Sequence, residues 1–134
     1  MKNIFTIACL SNIQDTATGL HSFINCIETG TTTSLPNTLP GFVIVSRWFF
    51  SEDLGMAKVS AVFHHPDGSN QEVADIGGIE IKKNHTITIS LHIERLDIKE
   101  EGVHNIQVKI QQGDNEPIFG HMYPLTVVAR KEES

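Results

Sequence analysis

The chain has 134 residues, 40% hydrophobic and 19% charged, enough for one domain (1–134) that folds without a staple. Ten Lys and Arg against sixteen Asp and Glu leave a formal charge of −6, which argues against nucleic acid and against an anionic membrane as partner. No run approaches the roughly 18 consecutive apolar residues of a membrane-spanning helix.

The first segment, Asn3–Leu10, follows a single lysine and is apolar apart from Asn3 and Thr6. A secretory or lipoprotein signal needs a longer unbroken apolar core before Cys9, so a first strand is expected and the chain is read as cytoplasmic. A polar spacer follows. Ile13–His21 offers at most a helical turn, weakened by Thr16, Thr18 and Gly19. Leu20–Glu28 is expected to be a second strand. Gly30 and Thr31-Thr32-Thr33-Ser34 then open a loop that closes with Pro36 and Pro40-Gly41.

Phe42–Phe50 reads as a strand that is apolar on both faces. The Ala57–His64 segment alternates, with Ala57, Val59, Ala61 and Phe63 on its dry side. Pro66-Asp67-Gly68 supplies turn chemistry, Pro setting φ and Gly accepting positive φ. Gln71–Ile81 is a weaker strand, with a bulge or bend expected at Gly77-Gly78. His85–Glu94 alternates most clearly, Ile87, Ile89, Leu91 and Ile93 facing one way. A turn at Glu101-Gly102 leads into Val103–Gln112, with Ile106, Val108 and Ile110 inward. Gly113-Asp114-Asn115 marks another turn before Ile118–Val128. The charged tail from Arg130 looks frayed. About eight short strands with dry and wet faces predict an all-β fold, an antiparallel two-sheet sandwich of immunoglobulin-like or C2-like type. A closed barrel is the alternative.

Taken in order, these segments resemble an uncharacterised family of small bacterial β-sandwich proteins, a domain of unknown function. The likeness runs from Ile4 to Val128. It rests on the apolar first strand, Gly19-Leu20-His21-Ser22-Phe23-Ile24-Asn25-Cys26-Ile27, the loop Leu35-Pro36-Asn37-Thr38-Leu39-Pro40, the strand ending His65-Pro66-Asp67-Gly68, and the Gly102-led strand. Two positions depart from the pattern: Asn25 stands where glycine is expected, and His104 where an aromatic, typically tyrosine, is expected. The resemblance implies a fold and a compartment but no activity, and it carries over no catalytic residue.

Seven histidines, His21, His64, His65, His85, His92, His104 and His121, raise the question of a metal. No zinc-ligand spacing occurs, and adjacent His64 and His65 point to opposite faces of a strand. His64 and His92 both fall on wet faces and are the pair that a sheet might bring together; solvated histidines, with no metal and no cofactor, are the expectation. No nucleophile elbow is present, and Cys9 and Cys26 sit in strands as small buried thiols that pair only if their strands are neighbours. Glu52-Asp53 and Glu100-Glu101 lie in turns, where solvated carboxylates are common. Gly77-Gly78 lacks the spacing and the helix of a phosphate cradle. No catalytic residue is assigned, and the chain is read as non-enzymatic.

One feature stands out. If Phe42, Ile44, Trp48 and Phe50 fill the core, then Val43, Val45, Arg47 and Phe49 form an apolar stripe on a face that a sandwich normally wets. The expected function is therefore a protein–protein interaction module, its partner an unidentified protein or a second copy in a homodimer. A loop folding over the stripe would equally bury it. The alternative function is a small-molecule or carbohydrate-binding sandwich, using the loops at Thr31–Pro40 and His64–Ser69 with Trp48 for stacking.

Overall fold

A computed structural model describes residues 2–14, 21–26, 29–32, 35–53 and 55–129. All regular structure among these residues is β-strand: β1 (Lys2–Gln14), β2 (His21–Cys26), β3 (Thr29–Thr32), β4 (Asn37–Phe50), β5 (Gly55–His64), β6 (Asn70–Ile81), β7 (His85–Ile98), β8 (Gly102–Gln111), β9 (Ile118–Phe119) and β10 (Tyr123–Ala129). They form two sheets, β2-β1-β4-β7 and β3-β10-β8-β5-β6, with β9 also paired to β8. The fold is a β-sandwich, as the alternation predicts.

Each strand's dry face supplies one wall of the core. From the smaller sheet come Ala8, Phe42, Ile44, Trp48, Phe50, Ile89, Leu91 and Ile93; from the larger come Val59, Ala61, Phe63, Ile106, Val108, Ile110 and Leu125. Burying an aliphatic or aromatic side chain of this kind contributes roughly 1.5–3 kcal/mol, so the two facing sheets are held mainly by this layer. Trp48 and Phe50 stack with ring centroids 6.1 Å apart. The Gly77-Gly78 bend falls where expected: the β5–β6 register shifts between Ala57↔Ile79 and Val59↔Ile76.

Three departures have physical causes. The strand expected to begin at Phe42 begins at Asn37, because Asn37–Pro40 pairs with Ile98–Arg95 on β7. Gly41 permits the crossing: a Cβ there would stand 2.7 Å from the Ile93 carbonyl oxygen and 2.8 Å from that of Glu94. Secondly, the stretch read as a Thr-rich loop contains β3, whose residues pair in parallel with β10, Thr29 opposite Thr126 and Thr32 opposite Ala129. This pair is the one parallel ladder among the described strands. Thirdly, the last predicted strand is broken into β9 and β10 at Gly120–Met122. The Gly120 N–H still donates to the Val108 carbonyl (2.9 Å).

That break is pinned by a polar knot inside the sandwich. Asn3 Nδ2 shares its two protons among the carbonyls of Phe5 (3.0 Å) and Arg47 (3.0 Å) and Ser46 Oγ (3.2 Å). Its Oδ1 accepts from the His121 backbone N–H (2.8 Å) and from Thr6 Oγ1 (3.3 Å). Trp48 Nε1 donates to Ser46 Oγ at 2.6 Å. Asn3, Thr6 and Ser46 are all buried, so this set satisfies groups that would otherwise cost free energy. The β1 register shifts between Asn3 and Phe5, which is the bulge that turns Asn3 inward.

Candidate functional site

The stripe on β4 has the predicted phase. Phe42, Ile44, Trp48 and Phe50 face the core, and Val43 and Val45 belong to a second cluster on the opposite face with Cys9, Phe5 and Ile7. Val43 and Val45 are 7% and 0% exposed, so this part of the stripe offers no open surface. Arg47 and Phe49 are half-buried, and Arg47 Nη1 donates to Thr88 Oγ1 at 3.4 Å. Trp48 is 1% exposed and donates into the interior, so it cannot serve as a stacking platform for a ligand. Of the loop residues considered for ligand binding, Thr33 and Ser34 lie outside the described residues.

A more open arrangement occupies the outer face of the larger sheet. Alternation along β5 and β8 turns Lys58, Ser60, Val62 and His64 outward opposite Gln111, Lys109, Gln107 and Asn105. The β9 pairing places Phe119 beside Lys109 on that same face. Val62, His64, Asn70, Glu72, Lys109 and Phe119 line a shallow hollow of about 290 Å³. Phe119 is 50% exposed at its rim, while Val62 is 9% exposed at its floor.

Polar groups hold the walls in place. His64 Nδ1 lies 2.9 Å from Asn70 Oδ1, and its Nε2 lies 3.1 Å from Gln107 Oε1. Gln107 in turn donates through Nε2 to the Gly120 carbonyl (2.8 Å). Glu72 bridges Lys58 (3.5 Å) and Lys109 (3.8 Å), and Lys58 also meets Asp75 (3.4 Å). The neighbouring Asp75 and Glu72 carboxylates raise the Lys58 pKa. These ion pairs are solvated and add little stability, but they fix long side chains over an otherwise flat sheet.

No family model and no curated relative matches the chain. Among solved structures it is similar to a family 123 glycoside hydrolase from Clostridium perfringens, with a TM-score of 0.43 and 13% identity over 82% of this chain. The chain spans 24% of the length of that structure.

His64 and His92 stand apart. His64 stands on the larger sheet, whereas His92 is on the smaller one, opposite Val43, so the sequence expectation that a sheet might bring them together is corrected. Alternation gave the right face for each but could not say that the faces belong to different sheets. Among the described residues no group of three or more His, Cys, Asp or Glu is placed to hold a metal ion. His65 and His104 do meet at the Pro66 end of the sandwich, their ring centroids 5.4 Å apart, with Phe63 packed 5.3 Å from His104. His104 is fully buried; its Nδ1 lies 3.2 Å from the Gly102 carbonyl, and its Nε2 has no protein partner. Burial pushes its pKa down against the upward pull of that carbonyl. The turn carboxylates are structural: Asp67 accepts from the Ser69 N–H and hydroxyl, and Glu101 Oε1 accepts from the Ala129 N–H.

Sequence reasoning missed Phe119. The only available signal was an aromatic one residue before Gly120 in a strand of less regular pattern. Its place beside Lys109 comes from the β8–β9 pairing, and the break that follows it is bonded to Asn3, more than a hundred residues away.

Proposed function

We propose that the protein is a non-enzymatic, cytoplasmic interaction module that docks another protein surface on the outer face of its larger sheet. The observation that carries this reading is Phe119, half exposed at the rim of a hollow floored by Val62 and walled by His64, Glu72 and Lys109. An aromatic anchor beside a small receptive hollow, ringed by polar and charged groups, is the anatomy of a protein contact. The hollow is at the lower limit of volume for a small-molecule site and is shallow, which favours a flat partner. Both charge signs are already paired within the face, so the partner needs hydrogen-bonding groups more than net charge. A second copy of the chain satisfies the same requirement.

The test is native mass spectrometry of the protein purified gently from its host, with Phe119→Asp and, as a control on another exposed apolar residue, Ile4→Asp. A second polypeptide or a dimer mass that disappears in Phe119→Asp alone supports the module and its face. Retention of the same species in Phe119→Asp removes the face from consideration.

A second reading rests on the hydrogen-bonding groups around Phe119. His64, Asn70, Glu72 and Lys109 beside an aromatic ring also suit a sugar hydroxyl pattern. A saccharide bound there would raise unfolding free energy by about 2.7 kcal/mol at a hundredfold excess over Kd. Thermal melts against a saccharide panel separate the two readings.

A further inference from the structure

We infer that Cys9 and Cys26 form a reversible cross-strand disulfide that closes one end of the β1–β2 ladder. The two residues are direct register partners, and the register is unbroken from Gln14↔His21 through Ser11↔Ile24 to Cys9↔Cys26. Residues directly opposite in an antiparallel pair share a face of the sheet. Their Cα atoms lie about 4.5 or 5.5 Å apart, depending on the hydrogen-bonding class of the pair. Both spacings fall within the roughly 4.4–6.8 Å Cα separation that a disulfide spans.

The position gives the bond a role. Among the described residues β2 is the outer strand of the smaller sheet, paired to β1 on one side. Cys26 is its last residue, at the ladder end remote from the link between Gln14 and His21. A bond there turns an edge strand held by backbone hydrogen bonds into one held covalently. Cys9 is itself 0% exposed and packs with Val43 and Val45, so the staple joins the edge strand to the second apolar cluster.

The oxidant is a low-molecular-weight disulfide of the glutathione class. One cysteine thiolate attacks it, expels one small thiolate and forms a mixed disulfide. The other cysteine thiolate then attacks the protein sulfur of that mixed disulfide and expels the second small thiolate. Two protein S–H bonds and the small S–S bond are lost; one protein S–S bond and two small-thiol S–H bonds form. The protein cysteines are oxidised and the small disulfide is reduced.

The experiment equilibrates the full chain with reduced and oxidised glutathione, once in native buffer and once in concentrated urea, followed by acid quench, alkylation and peptide mass mapping. Because the bond would restrain the unfolded chain over a loop of this length, the equilibrium constant for forming it should be on the order of a hundredfold larger in the native protein than in urea. A linked peptide joining Cys9 to Cys26, with a native-to-urea ratio of about tenfold or more, upholds the inference. A lower ratio, a persistent mixed disulfide, or a bond between two chains overturns it. Cys26→Ser identifies the last two products by retaining them.

Discussion

Replacing Asn3 by Ala tests the polar knot that joins the first strand to the break between β9 and β10. The side chain has five polar partners: the two protons of Nδ2 are shared among Phe5, Arg47 and Ser46, and Oδ1 accepts from His121 and Thr6. A typical bond contributes about 1 kcal/mol net, and a buried group left unpaired costs about 1–3 kcal/mol. Several of these partners retain others: Phe5 O still accepts from Ser46, and Thr6 Oγ1 still lies 3.0 Å from Ser46 Oγ. The expected loss is therefore about 2–4 kcal/mol, well below the sum of five separate bonds. Urea titration measures it as a fall in midpoint at constant slope, and the thermal midpoint should drop by several degrees for each kcal/mol lost. Hydrogen exchange supplies the specific readout, because the His121 amide loses its acceptor and should exchange faster, while amides in the β5–β8 ladder should keep their rank order. A loss below about 0.5 kcal/mol together with unchanged His121 exchange would refute the claim that Asn3 holds this crossing.

Gly41→Ala should destabilise by about 1–3 kcal/mol in the same titration, because the new methyl meets two backbone carbonyls that cannot move aside as a side chain would. An unchanged midpoint would mean that β4 and β7 separate there at little cost. Burial of His104 gives a pH dependence of definite sign. Its folded pKa lies below the ordinary value of 6.5, so the unfolded chain binds the proton more readily. The stability it contributes is full above the unfolded value and is lost as pH falls through the folded one. His104→Leu should flatten this part of the profile in melts taken between neutral and mildly acidic pH, and an undiminished slope would assign the dependence to other groups. Phe63→Ala, which empties a fully buried site against His104, should cost about 3–5 kcal/mol by urea titration. A much smaller loss would show that the Pro66 end of the sandwich collapses around the gap.

The sequence reveals much of the sandwich because each strand carries its own evidence. Ile87, Ile89, Leu91 and Ile93 announce a dry face by period alone, and the structure buries Ile89, Leu91 and Ile93 to within 3% of full enclosure. Alternation fails where the phase slips. After Ile93 the buried residues are Leu96 and Ile98, a step of three opposite the Gly41 crossing, so the local pattern stops at Glu94. The parallel strand at Thr29–Thr32 has no apolar pattern to read, since its pairing depends on a partner near the other end of the chain. The face proposed for docking was hidden for the same reason. His64 could be assigned to a wet face, but its neighbours Gln107 and Phe119 arrive through pairings that no spacing encodes. The stripe at Val43 and Val45 shows the converse: its phase is legible, whereas its burial is not.

The parallel pairing of β3 with β10 also bears on how the chain assembles. Thr29 and Thr126 are neighbours in the finished sheet but are made almost a whole chain apart. During synthesis β3 emerges well before its partner, which itself pairs with β8. Closing so large a loop is entropically costly, and contacts of this kind slow folding relative to a meander of adjacent hairpins. The brevity of β3 suits that delay: a waiting strand of four residues, Thr29, Gly30, Thr31 and Thr32, offers another nascent chain only a short edge and no large apolar side chain. A short strand at this position thus keeps an unpaired edge tolerable until the last strand arrives.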